Sequence, residues 1–218
     1  MRKKIAFIIT ALIILLAAVS TISAQNKIYF TLGYFEQDNN VKNGSEPIEW
    51  EVLAIKDDRA LLISRYGLDS RAYNDTRTSI TWENCSLRKW LNNEFYNNSF
   101  SASEKNQINY LKIQNSDNPQ YGTKGGNDTA DHIFLLSLND LLYYMPESSV
   151  RQCAGTPYAK AKNAEVYPNG YSWWWLRTPG VKEGAIQISC DGDIDYVGGA
   201  VSNTVVLVRP AMWINWHK

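Results

Sequence analysis

A run of aromatic residues gives the strongest structural signal in the chain: Tyr171-Ser172-Trp173-Trp174-Trp175-Leu176-Arg177-Thr178-Pro179-Gly180. Its first six residues place apolar side chains on both faces of an extended chain, which is typical of a central β-strand covered on both sides. Trp173 and Trp175 would point to one face and Trp174 to the other, so the three indoles cannot form one platform for stacking a sugar ring. We therefore expect these indoles to pack in the core, with one of them lining a groove.

Three arginines in apolar surroundings are candidates for structural or binding roles. Pro179-Gly180 ends the predicted strand, which places Arg177 where the strand gives way to a loop. Because loops often carry ligand contacts, Arg177 could clamp a carboxylate or phosphate, or it could pair with a local acid. Arg88 and Arg209 are flanked by apolar residues, and we expect them to be buried partners of carboxylates or carbonyls.

Shorter patterns predict further strands and several short helices. The expected strands lie at 33–35, 133–136 and 204–208, with hairpins formed by 48–55 with 60–66 and within 185–197. The expected helices cover 87–96, after a cap at Asn84 or Ser86, and begin after Ser101, Ser137 and Thr156. Polar residues at 69–79 and 115–131 are expected to form surface loops. The predicted fold class is α+β, a mainly antiparallel sheet with short helices.

The N-terminal residues have the pattern of a secretory signal. Arg2-Lys3-Lys4 precede an apolar run that ends at Val19, and small residues follow as far as Ala24. We expect a signal peptide at 1–24, an N-terminal lead-in at 25–45 and one domain at 46–218. An uncleaved membrane anchor is the alternative, because a span needs about 20 mostly apolar residues. In either case we expect a secreted, periplasmic or cell-surface protein.

The charge balance argues against one class of partner. The 218 residues include 22 Lys+Arg and 22 Asp+Glu, and residues 25–218 hold 19 basic groups against 22 acidic groups. A nucleic-acid-binding domain is expected to carry a clustered basic surface. We therefore expect no nucleic-acid partner, and contact with a membrane only if the leader is uncleaved.

The chain has three cysteines, Cys85, Cys153 and Cys190. In an exported protein two of them could form a disulfide, and the sequence does not choose among the three pairings. The alternative is that all three are buried thiols, because free cysteine often behaves as a small hydrophobic residue.

A cysteine nucleophile is the main catalytic hypothesis. Cys85 lies near a predicted helix N-terminus, a position that lowers the pKa of a thiol. The available bases are His132 and His217, and neither has the spacing of a known Cys-His pattern. Two histidines also argue against zinc, and no glycine-rich phosphate loop is present in the sequence. We expect no catalytic residue and no cofactor, so the sequence favours a protein that is not an enzyme.

The turn of the predicted hairpin within 185–197 is acidic, Asp191-Gly192-Asp193-Ile194-Asp195. Several carboxylates close together are typical of a calcium site. A three-residue loop, however, would pair Ile188 with Tyr196 and keep one face of the hairpin apolar. That register puts the last aspartate on the solvent face, away from the two at the tip. We therefore expect a solvated turn and no metal.

Four segments, in this order, resemble a bacterial family of exported or surface domains of unknown function: residues 81–92, 134–137, 174–180 and 208–214. The most distinctive are Trp175-Leu176-Arg177-Thr178-Pro179-Gly180 and Val208-Arg209-Pro210-Ala211-Met212-Trp213-Ile214. The resemblance covers most of 46–214 and implies a C-type-lectin-like fold, in the variant of formylglycine-generating enzymes and phage-receptor variable proteins. Those enzymes use two copper-binding cysteines late in the chain, whereas Cys190 has no late partner, which argues against that activity.

Together these patterns predict an exported, non-catalytic binding module whose ligand is a carbohydrate or a protein surface, a ligand class taken from the resemblance in fold. The loops between Arg177 and Asn203 would bind it. The expected ligand-binding residues are Trp173, Arg177, Asp191, Asp193, Asp195, Tyr196 and Asn203. Two alternatives stay open: an enzyme on the formylglycine-generating-enzyme-like scaffold, and a passive structural protein of the envelope.

Overall fold

A computed structural model describes residues 27–216, and the predicted signal peptide at 1–24 lies outside this range. The strands are β1 (Tyr29–Phe35), β2 (Glu46–Lys56), β3 (Arg59–Ser64), β4 (Asp69–Ser70), β5 (Leu111–Ile113), β6 (Thr129–Asp131), β7 (Trp174–Pro179), β8 (Gly184–Ile188), β9 (Ile194–Ala200), β10 (Leu207–Val208) and β11 (Ala211–Asn215). The helices are α1 (Ser86–Trp90), the π-helical turn π1 (Leu91–Phe95), α2 (Tyr96–Ser99), α3 (Ala102–Lys105), α4 (Leu138–Tyr144), α5 (Ser148–Arg151) and α6 (Pro157–Ala161).

These elements confirm the predicted α+β class, with antiparallel sheets and short helices arranged as a curled half-barrel. Within 27–216, none of the helices combines the length and the apolar character that crossing a membrane requires.

The first sheet brings the beginning and the end of the described chain together, in the order β1-β2-β3-β11. The predicted β2–β3 hairpin is confirmed. β1 lies in the stretch expected to be a lead-in, and it confirms the strand predicted at 33–35 and extends it back to Tyr29. It pairs antiparallel with β2. The buried Trp50 indole strengthens this pairing, because its N–H donates to the Leu32 carbonyl at 2.8 Å. The lead-in therefore contributes a strand to the sheet.

The second sheet has the order β4-β10-β7-β8-β9, with β7 in its centre. Trp174 and Trp175 of β7 are fully buried, which confirms that they belong to the core. Each indole N–H also has a partner: Trp174 donates to the Arg151 carbonyl and Trp175 to the Arg71 carbonyl, both at 2.9 Å. The two indoles therefore combine a large apolar contact with a satisfied polar group.

The position of β7 differs from the prediction because its pairing with β8 continues to Pro179, which lies opposite Ala185. β7 therefore covers Trp174–Pro179 rather than 171–176, and Arg177 lies inside a strand instead of at the start of a loop.

The segment 133–136, predicted as a strand, is buried and forms only an isolated bridge, from Phe134 to Ala211. It flanks β7, because the Leu136 carbonyl accepts the Arg177 N–H at 3.0 Å.

The β8–β9 hairpin is confirmed, but the register predicted at its tip is wrong. Ile188 pairs with Ile194 rather than with Tyr196, so the loop has five residues, 189–193. The Ser189 side chain explains the longer loop, because its hydroxyl oxygen accepts two backbone N–H groups of that loop, at 3.2 and 3.1 Å. The backbone of Ser189 still bonds across the hairpin, because its N–H donates to the Asp193 carbonyl at 2.8 Å.

Three predicted helices begin at their predicted caps, Ser101, Ser137 and Thr156. The helix predicted over 87–96 is the continuous run of α1, π1 and α2. Its cap is Cys85 rather than Asn84 or Ser86, because the Cys85 sulfur accepts the Arg88 N–H at 3.4 Å.

The two segments expected to be surface loops are partly buried. Residues 69–79 begin with β4, the edge strand of the second sheet, and Asp69 and Tyr73 are buried. Residues 115–131 end in β6, and Asn118 within them is completely buried. In both cases a polar sequence lies inside the domain because its side chains bond to the backbone or to charged partners there.

The expectation that Arg88 and Arg209 are partners of carboxylates or carbonyls is confirmed, but only Arg209 is buried, whereas Arg88 is half-buried. Arg88 Nε lies 2.7 Å from a carboxylate oxygen of the buried Asp131. Arg209 is 2% exposed, and its Nε donates to the Ser64 carbonyl at 2.9 Å. Arg209 therefore links the segment between β10 and β11 to the end of β3.

Candidate functional site

The structure places the predicted ligand-binding residues in separate parts of the second sheet. Asp191 and Asp193 are exposed in the loop between β8 and β9. Asn169 Nδ2 donates to Asp191 Oδ1 at 2.9 Å, whereas the Asp193 carboxylate bonds to no other residue in 27–216. Gly192 fixes the tip against α5, because its φ is +86° and a Cβ there would collide with the Ser148 carbonyl.

Asp195 and Tyr196 lie on β9, the exposed edge of the sheet. Asp195 Oδ1 accepts the N–H groups of Val197 and Gly198, both at 3.1 Å. Asn118 Nδ2 donates to the Tyr196 carbonyl at 2.9 Å. These bonds occupy backbone groups that an unprotected edge strand would offer to another chain. Asp195 therefore has a structural role in closing the edge.

Asn203 lies beyond the far end of β9. Because β9 has seven residues, Asn203 and the tip at Asp193 are separated by on the order of 20 Å. The Asn203 side-chain oxygen accepts the Val205 N–H at 3.1 Å. The loops at the two ends of β9 therefore do not meet in one small site.

Arg177 is 5% exposed, and its guanidinium already has protein partners. Nη1 donates to the Asp140 carboxylate and to the Leu135 carbonyl, both at 2.7 Å, and Nη2 donates to the Gln114 carbonyl at 3.0 Å. Of the two roles left open for Arg177, the structure shows the pairing with a local acid. Trp173 precedes β7 and is half-buried.

A polar groove lies beside β4, at the opposite edge of the second sheet from β9. Its volume is about 450 Å³, and its walls come from β4, α1, π1, the end of α6 and the turn before β10. The side chains that give it its chemical character are Asp69, Arg71, Asp75, Trp90, Glu94 and Lys162. We call this surface the Arg71 groove. Thr204, next to the predicted Asn203, also lines it.

Three of these side chains form a layered arrangement. Asp69 is 1% exposed, and its carboxylate accepts the Arg71 Nε–H at 2.7 Å. The Arg71 guanidinium carbon lies 4.1 Å from the centroid of the Trp90 ring, in cation–π contact. Trp90 is supported in turn by the Phe95 ring, with centroids 5.4 Å apart. The Arg71 side chain is therefore held by an ion pair along one edge and by an aromatic ring on one face.

The remaining charged groups of the groove are exposed, and within 27–216 they have no hydrogen-bonded or ion-paired partner. They are the carboxylates of Asp75 and Glu94 and the ammonium group of Lys162. Glu94 lies on π1, and short π-helical turns are frequent at functional sites. The Lys162 ammonium group lies 5.4 Å from the centroid of the Tyr158 ring, in cation–π contact. The groove thus offers both acceptors and donors whose hydrogen bonds the described residues leave unused.

A comparison with family models matches residues 57–216 to a family described as a domain of unknown function, DUF6273. The chain belongs to this family. The match includes every residue of the Arg71 groove, whereas β1 and β2 precede it. Searches of curated proteins and of solved structures found no match to the chain.

Sequence reasoning missed this groove of the DUF6273 domain. Asp69 and Arg71 lie in the stretch expected to be a surface loop, and Trp90 lies in the helix predicted over 87–96. A usable signal was present, because Asp69-Ser70-Arg71 places opposite charges at alternate positions, which share a face in an extended chain. Glu94 and Lys162 carry no such signal, since each reaches the groove only through the tertiary fold.

One group of acidic side chains in the described part of the DUF6273 chain has oxygens close enough to share a cation: Glu36, Asp38 and Glu46. Its oxygens already accept backbone N–H groups of their own loop. Glu46 Oε2 accepts from Gln37 at 2.7 Å, and Asp38 Oδ1 accepts from Asn40 at 2.7 Å. These bonds account for the cluster as a loop-stabilising arrangement.

All three cysteines are free and buried, which is the second of the two alternatives. Burial raises the pKa of the Cys85 thiol to about 12, so the lowered pKa expected at a helix N-terminus is wrong. Burial also raises the pKa of Cys153 and of Cys190. His132 stacks on Tyr96 with centroids 4.2 Å apart and does not bond to Cys85, and His217 lies outside the described residues.

We expect Cys85 to resist alkylation in the folded protein. At pH 8 a thiol with a pKa of about 12 is ionised in about one molecule in 10,000, and only the thiolate reacts. Iodoacetamide labelling, followed by peptide mass spectrometry, should therefore be at least about a hundredfold slower at Cys85 than in the protein unfolded by guanidinium. Rapid labelling of Cys85 in a protein with an unchanged melting temperature would contradict this and revive the nucleophile hypothesis.

Proposed function

We propose that this DUF6273 domain is an exported, non-catalytic binding module that binds a carbohydrate in the Arg71 groove. The proposal rests on the mixture of free donors and acceptors in one concave surface. Export is supported by the signal-like pattern at 1–24, and a non-catalytic role by the burial of the three thiols.

A carbohydrate is the ligand class that best matches this lining. Each sugar hydroxyl is both a donor and an acceptor, so it needs partners of both kinds. Asp75 and Glu94 can only accept when ionised, and Arg71 and Lys162 can only donate. A surface made for an anion alone would not place two free carboxylates beside its cations. A volume of about 450 Å³ also falls within the roughly 300–1,000 Å³ of small-ligand sites.

A protein surface is the second candidate ligand, and the charged lining of the groove argues against it. The core of a protein–protein interface is depleted of charged residues such as Lys, Glu and Asp. The Arg71 groove has a charged lining, and the exposed side of Trp90 is partly covered by Arg71. The position of the groove also changes the earlier hypothesis, because it moves the site from the β8–β9 tip to the β4 edge, with Thr204 near the predicted Asn203.

The experiment is a glycan array probed with the purified protein and with two double variants. We expect binding to at least one glycan and a loss of at least about tenfold in Asp75→Ala/Glu94→Ala, because a hydrogen bond to a charged group contributes ~1.5–3 kcal/mol. The matched control is Asp191→Ala/Asp193→Ala, which removes two exposed carboxylates from the tip and should bind as the unaltered protein does.

Two outcomes would contradict the proposal. An array without any bound glycan would reject carbohydrate binding. Loss of binding in the tip variant, with binding retained in the groove variant, would return the site to the loops between Arg177 and Asn203.

We also propose that the domain has a C-type-lectin-like fold and a bacterial origin. The order of the four sequence motifs supports both, and the α+β architecture with mainly antiparallel strands is consistent with the fold. An experimental structure superposed on C-type-lectin-like domains is the direct test. A second sheet whose strand order differs from the order in those domains would reject the fold.

A further inference from the structure

We infer that the ligand of the Arg71 groove is an acidic sugar, whose carboxylate is bound by the free edge of Arg71. This inference rests on the proposed carbohydrate function and adds the chemical class of the sugar. It is carried by the way in which Asp69 and Trp90 hold the guanidinium.

The guanidinium of Arg71 is oriented before any ligand arrives. Its Nε–H is used by Asp69, whose side chain is 1% exposed and therefore fixed in position. Its plane is restrained by Trp90, with 4.1 Å between the guanidinium carbon and the ring centroid. Less side-chain entropy is lost on binding when an arginine is held in this way.

The two terminal nitrogens of Arg71 are the part left for a ligand. Neither Nη1 nor Nη2 donates a hydrogen bond to another residue in 27–216, and the side chain is 37% exposed. A pair of terminal guanidinium nitrogens matches the two oxygens of a carboxylate, which gives two parallel charge-assisted hydrogen bonds. A single sugar hydroxyl would occupy only one of the two.

The carboxylate would be bound by the geometry of Arg71 and not by an overall positive charge of the groove. Asp69, Asp75 and Glu94 carry three negative charges, and Arg71 and Lys162 carry two positive charges, so these five groups have a net charge of −1. Asp69 is paired with the Arg71 Nε–H, which leaves the terminal nitrogens of Arg71 and the ammonium group of Lys162 as the cationic donors for a ligand carboxylate. The free carboxylates of Asp75 and Glu94 would then accept from the hydroxyls of the same sugar.

The test compares two ligands that differ only in the carboxylate: oligosaccharides ending in glucuronic acid, and the same oligosaccharides after reduction of that carboxyl to the alcohol. We expect the acidic form to bind at least about tenfold more tightly, as measured by isothermal titration calorimetry. Arg71→Gln should remove this preference, and Arg71→Lys should retain only part of it. The matched control is Arg77→Gln, which alters an exposed arginine whose partner is Glu183, outside the groove.

Because Arg71→Gln leaves the buried Asp69 without its cation, the variant Asp69→Asn/Arg71→Gln is measured as well. It removes both charges, and Asp69→Asn keeps the shape of the buried side chain. Equal affinity for the acidic and reduced sugars in the unaltered protein would overturn the inference. If the reduced sugar binds as tightly as the acidic sugar and Asp75→Ala/Glu94→Ala abolishes that binding, the proposed carbohydrate function stands while the acidic specificity falls. If neither sugar nor any array glycan binds, both fall.

Discussion

Replacing Trp175 with alanine is expected to lower the free energy of unfolding by about 3–5 kcal/mol, the range for large aromatic truncations in a core. Trp175 is fully buried in the central strand of the second sheet, and its ring packs against Tyr73 with centroids 5.7 Å apart. The substitution leaves a cavity and removes the donor for the Arg71 carbonyl. A loss of this size is a large share of the roughly 5–15 kcal/mol that stabilises a typical domain.

Urea denaturation followed by tryptophan fluorescence measures this loss. The matched control is Trp173→Ala, two residues earlier in the chain, where the indole is half-buried and the expected loss is smaller. A Trp175→Ala protein with an unchanged midpoint would place this indole at the surface and would undermine the core described for the second sheet. Because Trp175 holds the backbone of Arg71, we also expect the folded fraction of this variant to bind sugar more weakly.

Much of the fold could be predicted because the relevant signals are local. The hairpin of β2 and β3 follows from alternation and a charged break, and the cap at Ser137 follows from the acid three residues later. The burial of Trp174 and Trp175 follows from apolar side chains on both faces of one strand. Each of these patterns lies within a short stretch of sequence, so it can be interpreted without knowledge of distant residues.

The details that were missed depend on contacts between distant residues or on one side chain. The Ser189 hydroxyl accepts two backbone N–H groups of the hairpin loop, at a tip whose strand register differs from the predicted one. The alternation of apolar and polar residues carries no information about such a bond. Cys85 is at a helix N-terminus as expected, but its complete burial outweighs the helix and raises the pKa of the thiol. The Arg71 groove forms where β4, π1 and α6 come together in the fold. These elements are far apart in the sequence, so no short stretch of it predicts the groove.

Replacing Arg177 with methionine tests whether this arginine, the charged residue of the segment 171–180, stabilises the fold or binds the ligand. We expect a loss of about 3 kcal/mol in the free energy of unfolding, because the substitution removes the cation of Asp140 and the donor for the carbonyls of Leu135 and Gln114. This value lies at the low end for a broken buried pair, since the Asp140 side chain is 29% exposed.

Arg77→Met is the matched control, and the loss of a surface ion pair of that kind should change the free energy of unfolding by less than about 0.5 kcal/mol. Thermal and urea denaturation measure stability, and calorimetry with the sugar measures binding by the folded protein, which we expect to be unchanged. Normal stability combined with lost binding would instead make Arg177 a ligand contact, and the binding site would then lie at the centre of the second sheet rather than at its β4 edge.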